Sequence, residues 1–257
     1  MNARTCSSPR AIEKHGTAQT KARPNIINGG NHLRPVSSNR PQPVRSLDAL
    51  ATVASWHRGQ EICSQGRPAL HWYGVISGVA RRCAVRSDGR RQIIDLLLPG
   101  DFFGFTAGDE YDFTVEAVVE GTRTSTYPRQ RLETLADTNP RLARELRQVA
   151  FEALSRLETQ LLIVGRITAL EKVGSFILEM ATRLSGGPAD KVVLPISRYD
   201  IADYLAVSVE TVSRSLTDLQ ERGVIALSGT RTVRIVDRGA LEDGETDGHP
   251  AQTQHKL

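Results

Sequence analysis

Glu210, Ser213 and Arg214 stand at i, i+3 and i+4 in the run VETVSRSLTDLQERG. On a helix that spacing projects all three side chains from one patch. Arg214 supplies a planar fork of donors suited to guanine O6 and N7, Glu210 can accept from a cytosine amino group, and Ser213 can meet either base type. Reading base edges in a DNA major groove is the chemistry these residues would serve. A plainer reading stands beside it: Glu210 in a first turn complements the helix dipole, and Glu210 with Arg214 is an ordinary i,i+4 ion pair.

The elements that must carry the patch favour DNA. Ser197 is placed to cap a short helix whose inward face is Ile201, Ala202 and Leu205. Ala206-Val207-Ser208 then connects to a second helix, capped by Ser208, whose core face is Val212, Leu216 and Leu219. Two brief helices joined by a short turn, with small Ala202 where their axes approach, predict a helix-turn-helix whose second helix enters the major groove. The run from Val224 to Val236 predicts a wing, and Val192 to Pro195 a further wing strand. Arg198 at the start of the first helix and Ser208, Val209 and Thr211 at the start of the second complete the expected DNA-facing set.

The stretch SVETVSRSLTDLQERGVI resembles the recognition helix and wing entry of the CRP/FNR superfamily, and the resemblance in motif order extends over about residues 46 to 238. It implies an α+β chain: an N-terminal antiparallel β-roll of the cyclic-nucleotide-binding kind, a long dimerisation helix and a C-terminal winged helix-turn-helix. Val209 before Glu210, together with Ser213 and Arg214, resembles the FNR and FixK branches; the cyclic-AMP receptor carries an arginine where Val209 stands. Such a relative is a homodimeric activator, reads a TTGAT…ATCAA palindrome in double-stranded DNA, works with RNA polymerase, and serves micro-oxic respiration and nitrogen-fixation genes. Ala206 departs from the glycine that many relatives carry at the turn, and a positive φ there is less comfortable for alanine.

Upstream, short apolar runs punctuated by glycine fill Leu47 to Tyr127. Ser87-Asp88-Gly89-Arg90 is a hairpin turn between two strand-like runs, and Pro99-Gly100-Asp101-Phe102-Phe103-Gly104 interrupts the pattern. Relatives that bind a cyclic nucleotide place a glutamate directly after the glycine of the PGD-x-x-G turn and an Arg-Ser or Arg-Thr pair downstream. Here Phe105 follows Gly104 and the segment Tyr111 to Ala117 holds no arginine, so no cyclic-nucleotide response is expected. An iron–sulfur cluster needs four thiolates, whereas Cys6, Cys63 and Cys83 are three and widely scattered. No cofactor and no metal are expected. His57 and His71 in the roll keep one alternative open, a haem- or nitric-oxide-sensing regulator of the same superfamily. No catalytic constellation, metal motif or phosphate loop is visible, which argues against an enzyme.

Between roll and helix-turn-helix, Asn139-Pro140 opens a long helix. Leu142, Leu146, Val149 and Ala153 recur at four, three and four residues, and Leu154, Leu157, Leu161 and Val164 continue at three, four and three. Such a seam suits a coiled coil and equally a helix laid on its own roll. The resemblance makes it the dimerisation helix, and a palindromic operator calls for two recognition helices about a two-fold axis. The expected organisation is a disordered basic tail over 1–45, the roll over 46–137, the dimerisation helix over 138–166, the winged domain over 167–238 and a disordered acidic tail over 239–257.

With 257 residues and 39% apolar content the chain can bury two modest cores. No apolar run approaches the ~20 residues of a membrane span and no signal-peptide core opens the chain, so a cytoplasmic protein without a membrane partner is expected. The net charge of +4 resides in the tail. Residues 1–46 hold eight lysines and arginines against Glu13, while the remainder is slightly acidic. Global basicity is therefore weak support for operator recognition; phosphate contacts need only local cations.

Overall fold

The computed structural model describes residues 47, 50–85 and 91–243. The expected N-terminal tail, Cys6, the Ser87–Arg90 turn and the segment after 243 lie outside the described residues. In chain order the roll comprises β1 (Thr52–Trp56), β2 (Glu61–Cys63), β3 (His71–Ser77), β4 (Ala80–Val85), β5 (Arg91–Leu97), β6 (Phe102–Phe103), β7 (Thr114–Ala117) and β8 (Thr122–Pro128). They form two four-stranded antiparallel sheets, β1-β8-β3-β6 and β2-β7-β4-β5.

Inward residues of both sheets make one apolar interior of Ile62, Tyr73, Val75, Ala80, Leu97, Phe103, Tyr111 and Val115, with Tyr73 stacked on Phe103 at 5.0 Å. Each large side chain so buried contributes roughly 1.5–3 kcal/mol. Two glycines are required by close approach. At Gly78 (φ +82) a Cβ would lie 2.8 Å from the Thr122 Cα, and at Gly104 (φ +91), which ends the PGD-x-x-G turn, 2.9 Å from the His71 carbonyl oxygen.

After the roll come α1 (Arg129–Thr138) and α2 (Pro140–Val164), the latter capped by the Asn139 side chain, with proline in its first turn. The winged domain consists of α3 (Ala169–Ser185), β9 (Lys191–Val193), α4 (Arg198–Leu205), α5 (Val209–Glu221), β10 (Ile225–Ser228), β11 (Thr232–Ile235) and α6 (Arg238–Asp243). A Thr168–Glu171 capping box starts α3, and β10-β11-β9 form the wing sheet. The expectation of a structureless tail from 239 is corrected at its start. Leu241 on α6 is buried, and its Cδ2 lies 3.0 Å from where a Cβ on Gly174 of α3 would stand. Leu241, with Ala240 packed beside it, is enough to dock a short helix otherwise rich in acids.

Roll and winged domain share a continuous core. Val79, Cys83, Ile93, Leu96, Leu98 and Val118 of the roll pack with Ile163 of α2 and with Phe176, Ile177, Met180, Ile201, Tyr204 and Leu205. Polar bonds cross the same junction. Arg183 donates to the Leu96 carbonyl at 2.7 Å and to Asp101 Oδ2 at 2.7 Å, and Gln160 Nε2 donates to the Tyr204 carbonyl at 2.6 Å. Burial raises the pKa of Glu179 despite the nearby Arg183 charge and the Tyr204 hydroxyl, which donates to its Oε2 at 3.1 Å.

Candidate nucleic-acid interface

The helix-turn-helix is built by two serine caps. The Ser197 hydroxyl accepts from the Asp200 backbone N–H at 3.2 Å while Asp200 Oδ2 accepts from the Ser197 N–H at 3.0 Å, a reciprocal capping box that starts α4. The Ser208 hydroxyl accepts from the Thr211 N–H at 3.1 Å and starts α5. Between the helices Ala206 adopts φ 55 and ψ 44, the single non-glycine residue at positive φ among the described residues. Alanine does occupy a left-handed turn here, at a cost of about 1 kcal/mol relative to glycine. Ile201, Ala202 and Leu205 of α4 and Val212, Leu216 and Leu219 of α5 are all buried.

That packing leaves the opposite face of α5 outward. Glu210 and Arg214 are exposed and Ser213 is half-buried between them. Glu210 has its carboxyl held below its ordinary value, chiefly by its own backbone N–H, then by the Ser208 hydroxyl and the Arg214 charge, so it is an acceptor at neutral pH. Arg198 Nη1 donates to Ser213 Oγ at 3.2 Å, joining the start of α4 to the patch. Ser208 is exposed, and its hydroxyl lies 2.9 Å from that of half-buried Thr211. Val209 is half-buried against the core. The seven expected residues thus lie together around the start of α5. Sequence reasoning overlooked the wing's cations: Lys191 and Arg234 are cross-strand partners, both exposed, with exposed Arg231 nearby. Their signal was three basic residues on and beside adjacent wing strands, suited to phosphate contact.

The expected eight-residue seam on α2 divides. Leu142, Leu146 and Val149 are buried against Leu47, Phe102, Tyr127 and Leu132 of the same chain. Their assignment to a two-copy seam is therefore corrected; the 3,4 spacing serves intrachain packing equally well. Ala153, Leu157 and Val164 are half-buried. Leu154 (50% exposed) and Leu161 (72%) stand on the other side with Phe151 (56%) and Leu162 (50%), two residues that the spacing argument passed over. The inward face runs on through Arg156, Gln160 and Ile163, so the heptad is unbroken but polar in its middle. Arg156 stands 3.4 Å from Asp95 and from Asp101.

In the roll, Phe105 packs edge-on against Trp72 at 4.7 Å. Arg82 stacks over the Phe113 ring at 4.9 Å opposite Asp95. Exposed His57 binds Glu120 at 2.6 Å. Burial pushes the Cys63 thiol up to about 12 and the Cys83 thiol up to about 11.

Comparison with known proteins matches residues 171–243 to the Crp-like helix-turn-helix domain and residues 53–139 to the cyclic nucleotide-binding domain. The nitrogen fixation regulation protein FixK of Azorhizobium caulinodans is 43% identical over 203 residues, covering 78% of this chain and 82% of that protein. The FixK of Rhizobium meliloti is 36% identical over 224 residues, covering 87% and 97%. The solved structure of FixK2 from Bradyrhizobium japonicum superposes with a TM-score of 0.70 at 37% identity, covering 78% of this chain and 99% of that one.

Proposed function

Starting from the fact that this chain belongs to the CRP/FNR family and is a FixK-type transcriptional regulator, we propose that it works as a homodimeric activator reading a TTGAT…ATCAA palindrome. The observation that carries this reading is the exposure of Glu210 and Arg214 beside Ser213 at the start of α5, with the apolar face of that helix fully spent on the core. Arg214 takes the guanine of each half-site, Glu210 the cytosine amino group opposite, and Ser213 an adjacent base. Arg198, Ser208 and Thr211 at the helix starts, with Lys191, Arg231 and Arg234 of the wing, approach phosphates; Val209 sets the helix against its own core. Residues 46–137 serve as the roll, 138–166 as the dimerising segment and 167–238 as the DNA-binding domain.

Dimerisation follows from the outward stripe of α2. Phe151, Leu154, Leu161 and Leu162 expose an apolar stripe, interrupted by Glu158, that a second copy would cover, and a two-fold axis along α2 supplies the two recognition helices that a palindrome needs. Half-site centres then stand about 34 Å apart, one turn of DNA. Control is through abundance of the protein, because the residues by which relatives grip a cyclic nucleotide or an iron–sulfur cluster are replaced: Phe105 packs on Trp72, and both described cysteines are buried. No helix among the described residues is long and apolar enough to cross a membrane, in keeping with a regulator that meets DNA and RNA polymerase in the cytoplasm. Nitrogen-fixation genes, after which the FixK relatives are named, are the first targets to examine.

Sedimentation of the protein with a duplex carrying both half-sites, and with one carrying a single half-site, tests the assembly. The proposal expects two chains per palindrome and far weaker binding to the half-site. One chain per palindrome with equal affinity for both duplexes would overturn it.

A further inference from the structure

The roll grips the helix-turn-helix through a cluster of charges that neither the DNA-reading face nor the sensor argument uses. Glu116 on β7 accepts from Arg81 Nε at 3.0 Å, from Arg81 Nη2 at 2.7 Å and from Arg91 Nη1 at 2.9 Å. The free edge of the Arg81 guanidinium donates through Nη1 to Asp200 Oδ1 on α4. Arg91 Nη2 lies 3.8 Å from Asp203 Oδ2, and the Gln92 amide donates to the Asp203 carbonyl oxygen. Asp200 is the same carboxylate that closes the α4 capping box through its other oxygen. One side chain therefore both starts the helix and ties it to the roll. Arg81 and Glu116 have side chains 15% exposed and Asp200 9%, so solvent screens this central trio little, while Arg91 and Asp203 at its edge are more open to solvent.

We propose that Arg81 and Arg91 are positioning residues for operator binding, which hold α4 at a fixed attitude on the roll so that the reading face of α5 is oriented without a small ligand. This rests on the DNA-reading assignment above. The apolar core beneath, where Ile93 and Cys83 meet Ile201, Tyr204 and Leu205, is non-directional and tolerates rotation. Forked guanidinium bonds to carboxylates on both sides do not. Among the described residues the cluster holds three carboxylates, Glu116, Asp200 and Asp203, against two arginines. Removing either cation leaves one guanidinium among these three carboxylates, which removes one of the two bridges from Glu116 to α4 and loosens the junction. The arrangement is one that permits DNA binding, because Glu210 and Arg214 stay exposed while α4 is gripped.

The test compares wild type with Arg81→Gln, Arg91→Gln and the conservative Arg81→Lys. Spin labels at Val53→Cys on the roll and Thr230→Cys on the wing, both exposed positions, are placed in a Cys6→Ser background and diluted into excess unlabelled chain, so that distances within one chain are read. The distance distribution should be narrow in wild type and broad in both glutamine variants, with lysine between. In the same variants affinity for the palindrome should fall about tenfold. Discrimination against a duplex whose half-site spacing is changed by one base pair should also fall, a readout that a merely stabilising role would leave alone. An unchanged distribution, or a broadened one with unchanged or tighter operator binding, would overturn the proposal. The distance measurement needs no DNA, so failure of wild type to bind any palindrome would count against the DNA-reading assignment and be seen separately.

Discussion

Helices α5 and α2 are both amphipathic, yet they use the property in opposite ways. In α5 the large apolar residues Val209, Val212, Leu216 and Leu219 pack on the core, and what remains outside near its start is chemistry: a carboxylate, a hydroxyl and a guanidinium. In α2 apolar residues occupy both faces. The inward heptad Leu142, Leu146 and Val149 continues through polar Arg156 and Gln160, while Phe151, Leu154, Leu161 and Leu162 face out. A helix with one apolar face is complete within one chain. A helix with two is not, and covering what those four side chains still expose would contribute roughly 1–2 kcal/mol each.

The largest effect that would break this contrast is expected at the outer stripe. Leu154→Glu combined with Leu161→Glu places four carboxylates in a two-copy interface; sedimentation should show monomers, and palindrome affinity should fall at least about a hundredfold, roughly 3 kcal/mol. A dimer that survives this change would mean that the stripe has another role. Leu146→Ala, on the inward face, should instead lower stability by about 2–5 kcal/mol in denaturant unfolding and leave the chain dimeric. Ala206→Gly relieves the left-handed strain between α4 and α5, and should raise thermal stability by the equivalent of about 0.5–1 kcal/mol with no change in operator preference. The smallest effect is expected at the roll's thiols. Both fold-raised pKa values lie far above neutrality, so peptide mapping after iodoacetamide at pH 7 should find Cys63 and Cys83 unmodified. Labelling of Cys83 should rise only as pH nears about 11.

The same contrast explains what could be read from the residues alone. Ser197 and Ser208 cap their helices within three residues of themselves, and the apolar spacing of α4 and α5 meets a core made largely from neighbouring elements. Such local rules made the helix-turn-helix, the outward face of α5 and the wing legible. On α2 the spacing says that a face is buried, not against what. Arg156 and Gln160 look like surface residues until Asp95, Asp101 and the Tyr204 carbonyl are found beside them. That is why the apparent stripe shifts from the inward face to the outer one after Ala153. Helix α6 was hidden by acidic composition around Leu241. The grip of Arg81 on Asp200 joins residues 119 positions apart and leaves no trace in either segment.

Whether Arg214 reads a base is decided by a double-mutant cycle between that residue and the half-site guanine. Binding of wild type and Arg214→Ala is measured on the TTGAT…ATCAA duplex and on one in which the guanine–cytosine pair of each half-site is replaced. Arg214→Ala should cost about 1–3 kcal/mol on the first duplex and almost nothing further on the second, because the partner is already gone. Equal losses on both duplexes, or no loss on either, would contradict base reading by this helix.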